Sequence, residues 1–202
     1  AHDGREVLVF SGIRGHKVKA VVGLCGTRER IYRAIGATPG DYYSRLIEAA
    51  RKPIEPELVG SGPVMEESSP ADLGKLPIFR HYEKDGGKYI TAGIVVARSP
   101  DGKFQNASIH RMMVLGKDRL AIRIVPRHLY ALHREAKAAG EDLNVAVVIG
   151  VHPAISVGVN VGPKLGVDET WVGNALMGGG LKVVKCAGNG VVVPAEAEIV
   201  LE

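Results

Sequence analysis

The chain has 202 residues, 46% apolar, 24% charged and 5% aromatic, with a formal net charge of +4 and a pI near 9.1. That length fits one domain, or one domain with part of another, and can bury a sizeable core. No apolar run reaches the ~18 residues needed to cross a bilayer. Cations alternate with acids and aromatics are too few for a base-stacking platform, which sets nucleic acid aside as a partner.

In chain order, "EVLVFSGI" (6–13) and "VKAVVGLC" (18–25) read as two strands joined by a turn at Gly15. Thr27 caps a helix through "RERIYRAIG", closed by Gly36, and "GDYYSRLIEAAR" (40–51) forms a second. Residues 52–77, rich in Pro, Glu and Ser, read as an extended crossing with one short strand over 58–64. Beyond Pro77 the character changes. "KYITAGIVVARS" (88–99), "ASIHRMMVLG" (107–116) and "RLAIRIV" (119–125) are closely spaced strands, an antiparallel meander that is the usual start of a small barrel.

A helix over 127–139, a strand over 144–150, an irregular helix from Pro153 to about Val161 and a short helix over 168–177 follow. Strands at 181–186, 190–194 and 196–202 complete an α+β pattern with a barrel at its centre. "MGGGLKVVK" (177–185) follows a helix and precedes a strand, the reverse of a phosphate loop, and reads as a helix stop. Cys25 and Cys186 lack metal-ligand spacing and sit beside apolar residues in predicted strands; buried free thiols in a reducing compartment are expected, hence a cytoplasmic location. The chain begins with Ala1 and ends in "PAEAEIVLE", inside an alternating strand with no turn after it, which reads as a piece of something longer.

Asn106, His128 and Glu169 each open an element, where side chains from separate parts of a fold converge. An amide oxygen, an imidazole and a carboxylate suit a hard divalent cation such as Mn²⁺ or Mg²⁺ rather than structural zinc. Each also has a purely structural reading, as a turn residue, a helix-start residue and a first-turn acid favoured by the helix dipole. Arg111 shares a strand face with Ile109 and Met113, so it is expected among apolar neighbours, and Arg123 interrupts the next strand in the same way. A buried guanidinium needs an anion, and two inward arginines favour an anionic ligand over two separate salt bridges. His133 is expected to pack on its helix face, Trp171 and Tyr130 in the core or at its rim, and Ser108 to lack the His–Asp company of a nucleophile.

The blocks "LPIFRHYEKDGGKYITAGIVVARSPDGKFQNASIHRMMVLGKDRLAIR", "GVDETWVGNALMGGGLKVVKC" and "VPAEAEIVLE" resemble the UbiD-like decarboxylases, which use prenylated FMN. The likeness runs from "VLVFSGIRGHKVKAVVGLCGTRERI" to the last residue. It implies an FMN-binding split β-barrel with flanking helices over 77–202, preceded by an α/β segment and crossing over 1–76 that belongs to a domain incomplete in this chain.

By the same resemblance, Asn106 and Glu169 match ligands of a Mn²⁺-like ion set against the cofactor phosphate, and His128 falls where some members supply a His ligand. Ser108, Ile109 and Arg111 match cofactor-contacting positions, Arg111 is also the family's catalytic arginine, and Arg123 falls where members contact the flavin or its phosphate. The implied chemistry is reversible non-oxidative decarboxylation of an α,β-unsaturated or aromatic acid, with prenylated FMN, Mn²⁺ or Mg²⁺, and K⁺ as cofactors. The family's catalytic acids lie in an EGP-x-G-(D/E) block after the AEIVLE strand, and this chain stops at Glu202, so alone it is expected to lack turnover. Implied partners are the carboxylic acid substrate, the remainder of the enzyme or a companion subunit, copies of the same chain, and a flavin prenyltransferase as cofactor supplier. A reading from another class is a catalytically silent flavin-phosphate-binding or assembly module, complete only with a partner polypeptide.

Overall fold

The runs "GIVVA" (93–97) and "VAVVI" (145–149) lie side by side at the centre of a five-stranded sheet. Burial on both faces is why neither run alternates with polar residues. The structure, a computed structural model, describes residues 6–202, so residues 1–5 of the expected 1–76 segment lie outside the described residues.

The meander forms as expected. Strands β4 (Tyr89–Arg98), β5 (Gln105–Val114) and β6 (Leu120–Ile122) pair antiparallel in succession. Strand β7 (Val145–Ile149) lies on the other side of β4, and β10 (Ile199–Leu201) beside β7. The register of β4 against β5 slips by one residue between Ile90 and Gly93, a bulge that stands opposite Arg111. A second sheet joins β3 (Glu57–Leu58), parallel to β8 (Lys182–Lys185), with β9 (Val192–Pro194) antiparallel beyond it.

Alternation along β4 sends Ile94 and Val96 to one face and Val95 and Ala97 to the other. The first pair shares a core with Val183, Val184 and Val193 of the small sheet and Ile155 of helix α4 (Pro153–Gly158). The second pair packs with Leu129 and Leu132 of helix α3 (His128–Ala139). The α+β split barrel thus takes the form of two open facing sheets, with helices outside them, rather than one closed sheet.

Strands β1 (Leu8–Phe10) and β2 (Ala20–Val22) form the expected hairpin, shorter than the apolar pattern suggests. Thr27 caps helix α1 (Arg28–Ala34) by accepting from Arg30 N. Helix α2 (Tyr42–Arg51) follows a turn in which Asp41 accepts from the Thr38 hydroxyl at 2.8 Å and from Arg45 Nε at 2.8 Å. Ile35 and Ala49 pack against Ala154 of α4 and Val172 and Leu176 of helix α5 (Glu169–Leu176). Helices α4 and α5 touch through glycines: a Cβ on Gly158 would sit 2.4 Å from Gly173 Cα. The strand expected over 58–64 ends at Leu58, and Pro63–Met65 turn as a 3-10 helix instead.

Two expectations on buried side chains are corrected. Cys25 is exposed, because β2 stops at Val22 and the residue falls in the following turn. His133 is exposed too, since α3 buries only the stripe through Leu129, Leu132 and Ala136. Cys186 is buried as expected, and burial, with the nearby Glu202 carboxylate, pushes its thiol up to about 12. No helix among the described residues is long and apolar enough to cross a membrane.

Candidate active site at the free edge of β5

Strand β6 pairs only with the far end of β5, from Met112 to Val114. The Gln105–His110 stretch is therefore unpaired on that side, and its outward N–H groups need other acceptors. The N-terminus of α5 supplies one: Glu169 Oε2 accepts the Ala107 N–H at 2.7 Å. Asp168 brings the helix start there. It caps α5 by accepting from Thr170 N at 2.8 Å and Thr170 Oγ1 at 2.7 Å, and takes Gln105 Nε2 at 3.3 Å. Gln105 in turn pairs with the edge of β9, accepting from Val192 N at 2.6 Å and donating to Val192 O at 3.0 Å.

Onto this frame the structure gathers the three residues expected to share a ligand. Asn106 Nδ2 donates to Glu169 Oε1 at 2.8 Å. His128, the first residue of α3, places Nδ1 3.2 Å from the same oxygen, where it donates to the carboxylate. Asn106 and Glu169 are only 3% and 2% exposed, so the pairing takes place almost entirely out of water. Burial pushes the Glu169 carboxyl above its ordinary range, opposed by the Ala107 N–H and by His128. Asp168 is pushed up by burial as well, against the hydrogen bonds from Thr170 and Gln105.

Alternation along β5 places Ser108 and His110 on the Asn106 face. Ser108 Oγ lies 3.3 Å from Asn106 Oδ1 and 2.9 Å from His110 Nε2, while His110 Nδ1 lies 3.3 Å from the Arg123 carbonyl. Ser108 thus has a histidine partner that the sequence reading did not give it. His110 is the residue sequence reasoning missed. Its signal was available in the two-residue step from Asn106 through Ser108, but nothing in the spacing points to a carbonyl donated from beyond β6.

The two arginines are corrected. Arg111 and Arg123 are exposed, not inward among apolar side chains. Arg111 does share its face with Ile109, but Ile109 sits at the edge of the core between the sheets and Arg111 lies beyond it, opposite the β4 bulge. Arg123 follows the last residue of β6 and joins the cluster through its backbone carbonyl. Among the described residues Arg111 makes no side-chain hydrogen bond or ion pair. Its guanidinium is open to solvent and to an incoming anion. No group of three or more His, Cys, Asp and Glu among the described residues is arranged as a metal site. A cation here would depend on the Asn106 amide together with His128 and Glu169.

Comparison with known proteins finds relatives of the whole chain. The family model described as UbiD, the 3-octaprenyl-4-hydroxybenzoate carboxy-lyase Rift-related domain, matches residues 57–202. The anhydromevalonate phosphate decarboxylase of Methanothermobacter thermautotrophicus is 43% identical over 198 residues, covering 98% of this chain and 46% of that protein. The UbiD-class enzyme HmfF from Pelotomaculum thermopropionicum, solved in complex with FMN, superposes with a TM-score of 0.94 at 42% identity, over 98% of this chain and 46% of that one. An evolved dimeric form of HmfF in complex with prFMN gives the same TM-score of 0.94 and 42% identity, over 98% and 47%. The chain spans a little under half the length of these relatives.

Proposed function

This chain belongs to the UbiD carboxy-lyase family, and from that premise we propose that it holds the flavin and metal of a decarboxylase acting on an aromatic or α,β-unsaturated carboxylic acid. One observation carries the reading: Asn106 and His128 meet on a single oxygen of Glu169, at 2.8 and 3.2 Å, from three separate elements. Those three side chains fit Mn²⁺ or Mg²⁺ with the Asn106 amide turned so that its oxygen faces the ion, since an amide oxygen, an imidazole nitrogen and a carboxylate are what a hard, six-coordinate cation accepts. Asn106, His128 and Glu169 would hold the ion against the phosphate of the flavin, with K⁺ as a further candidate ion. Ser108, Ile109, Arg111 and Arg123 would contact the cofactor.

Prenylated FMN, when bound, supplies the electron sink that lets a carboxylate leave as CO₂. The chain's own part is binding and orientation. Arg111, exposed and uncommitted, would take the substrate carboxylate in a two-pronged contact and hold its C–C bond for cleavage. The Glu169 carboxylate has the Ala107 N–H fixed on Oε2, and its Oε1, which accepts from Asn106 Nδ2 and faces His128 Nδ1, would pass to the ion when one binds. We assign the proton that returns to carbon to an acid in the remainder of the enzyme or a companion subunit, and expect copies of the chain to associate.

The test is an assay of the complete enzyme, coexpressed with a flavin prenyltransferase, against cinnamate-like acids, polyprenyl hydroxybenzoates and phosphorylated isoprenoid-pathway acids. Release of CO₂ from one of these classes is expected. No release from any, with prenylated FMN bound, would favour the silent flavin-binding module instead.

A further inference from the structure

We infer that Gln105 is a positioning residue, which through Asp168 holds Glu169 in place against β5 while an ion occupies the site. The inference rests on the reading of Asn106 and Glu169 as ligands of that ion. It assigns a role to two residues outside the ligand set, one of them a buried carboxyl that the chemistry itself does not use.

The Gln105 amide has one orientation open to it. The Val192 N–H can only donate, and it stands 2.6 Å from Oε1, which is therefore the amide oxygen. Nε2 then has two protons, and two acceptors stand within reach: Val192 O at 3.0 Å and Asp168 Oδ2 at 3.3 Å. On the other side of that contact, Thr170 N and Thr170 Oγ1 both donate to Asp168 Oδ1. Among the described residues Gln105 is thus the only donor to Oδ2. Asp168 is 7% exposed, so water is a poor substitute for that donor.

The result is a three-point grip. Gln105, Asn106 and Ala107, consecutive on β5, hold Asp168 and Glu169, consecutive at the start of α5. Two of the contacts end on the Glu169 carboxylate and leave the helix start free to pivot about it. The Gln105–Asp168 contact stops that pivot, and Gln105 is itself pinned to β9. Its importance rises when an ion binds. Asn106 then turns its oxygen to the ion and gives up the Nδ2 bond to Glu169. The Ala107 N–H and Gln105 remain to fix where the Glu169 carboxylate stands, and a metal site depends on such outer partners to hold its ligands in place.

The test is a double-variant cycle on the complete enzyme with FMN, read as Mn²⁺ affinity from the electron paramagnetic resonance signal of free Mn²⁺. Gln105→Met keeps the length of the side chain and removes its hydrogen bonds. It is expected to weaken Mn²⁺ binding about tenfold, the usual effect of losing a partner of a metal ligand. Asp168→Ser retains a cap for α5 but has no Oδ2 for Gln105 to hold. In that background Gln105→Met is expected to change the affinity by less than about twofold.

A merely structural role, exerted through Val192, gives the same loss in both backgrounds, and that outcome overturns the inference. Unchanged binding in Gln105→Met alone overturns it as well. Should Gln105→Met fail to fold, Gln105→Asn, a methylene too short to reach Val192 and Asp168 together, takes its place in the cycle with the same two expectations. A wild-type enzyme that takes up no Mn²⁺ overturns the metal reading itself and this inference with it.

Discussion

Glu169 accepts the Ala107 N–H at 2.7 Å, and that one bond ties the start of α5 to the part of β5 that β6 leaves unpaired. The carboxylate therefore does two jobs: it completes the hydrogen bonding of a strand edge, and it presents its second oxygen to Asn106 and His128.

Replacing Glu169 by Gln should expose both. A glutamine offers one oxygen where the site needs two, so its amide N–H₂ must confront either the Ala107 N–H or Asn106 Nδ2. A buried donor left unsatisfied costs about 1–3 kcal/mol, and chemical denaturation of the purified chain should show that loss. A variant as stable as the wild type would mean the edge bond is dispensable.

Arg111→Ala should behave in the opposite manner. The side chain is exposed and uncommitted among the described residues, so stability should change by less than about 0.5 kcal/mol. Turnover of the complete enzyme should fall by roughly a hundredfold or more while flavin is retained, because an unanchored carboxylate loses its alignment. Retained turnover would remove Arg111 from the chemistry.

Gly158→Ala probes the packing behind the site. On helix propensity alone the change should stabilise by about 1 kcal/mol. Here the added methyl would sit 2.4 Å from the Gly173 backbone, so α4 and α5 must separate. A net loss of about 1–3 kcal/mol in urea unfolding is expected, and a gain would refute the close approach.

The turn before α2 gives a pH dependence. Arg45 and the Thr38 groups hold the Asp41 carboxyl down to about 2, from an ordinary 3.8. A carboxyl depressed in the folded state contributes stability that is present above its unfolded pKa and lost as pH falls through the folded value. Thermal midpoints of the wild type should therefore drop more steeply between pH 3.8 and about 2 than those of Asp41→Asn. Parallel curves would show that the turn contributes nothing.

Much of the fold was legible because its signals are local. The apolar runs of β4 and β7, the Thr27 cap and the triple glycine after α5, with φ of +81, +96 and +87 at Gly178–Gly180, each state their structure within a few residues. Asn106, His128 and Glu169 were legible as residues at element starts, but their meeting on one oxygen depends on β6 being short. The sequence pattern carries the strand on to Val125, whereas β6 ends at Ile122. Arg111 was misjudged as buried because alternation names a face without saying how far the core extends along it; the core stops at Ile109. His110 was missed because its partner is a backbone carbonyl, which no side-chain pattern marks.

The most direct measurement is the metal and flavin content of the chain purified after coexpression with a flavin prenyltransferase, compared between the wild type and Asn106→Ala. Metal and flavin are expected in equal amounts on the wild type, and both should be lost together from the variant at unchanged far-ultraviolet circular dichroism. Undiminished metal and flavin on Asn106→Ala would show that the ion and its coenzyme are gripped somewhere other than the free edge of β5.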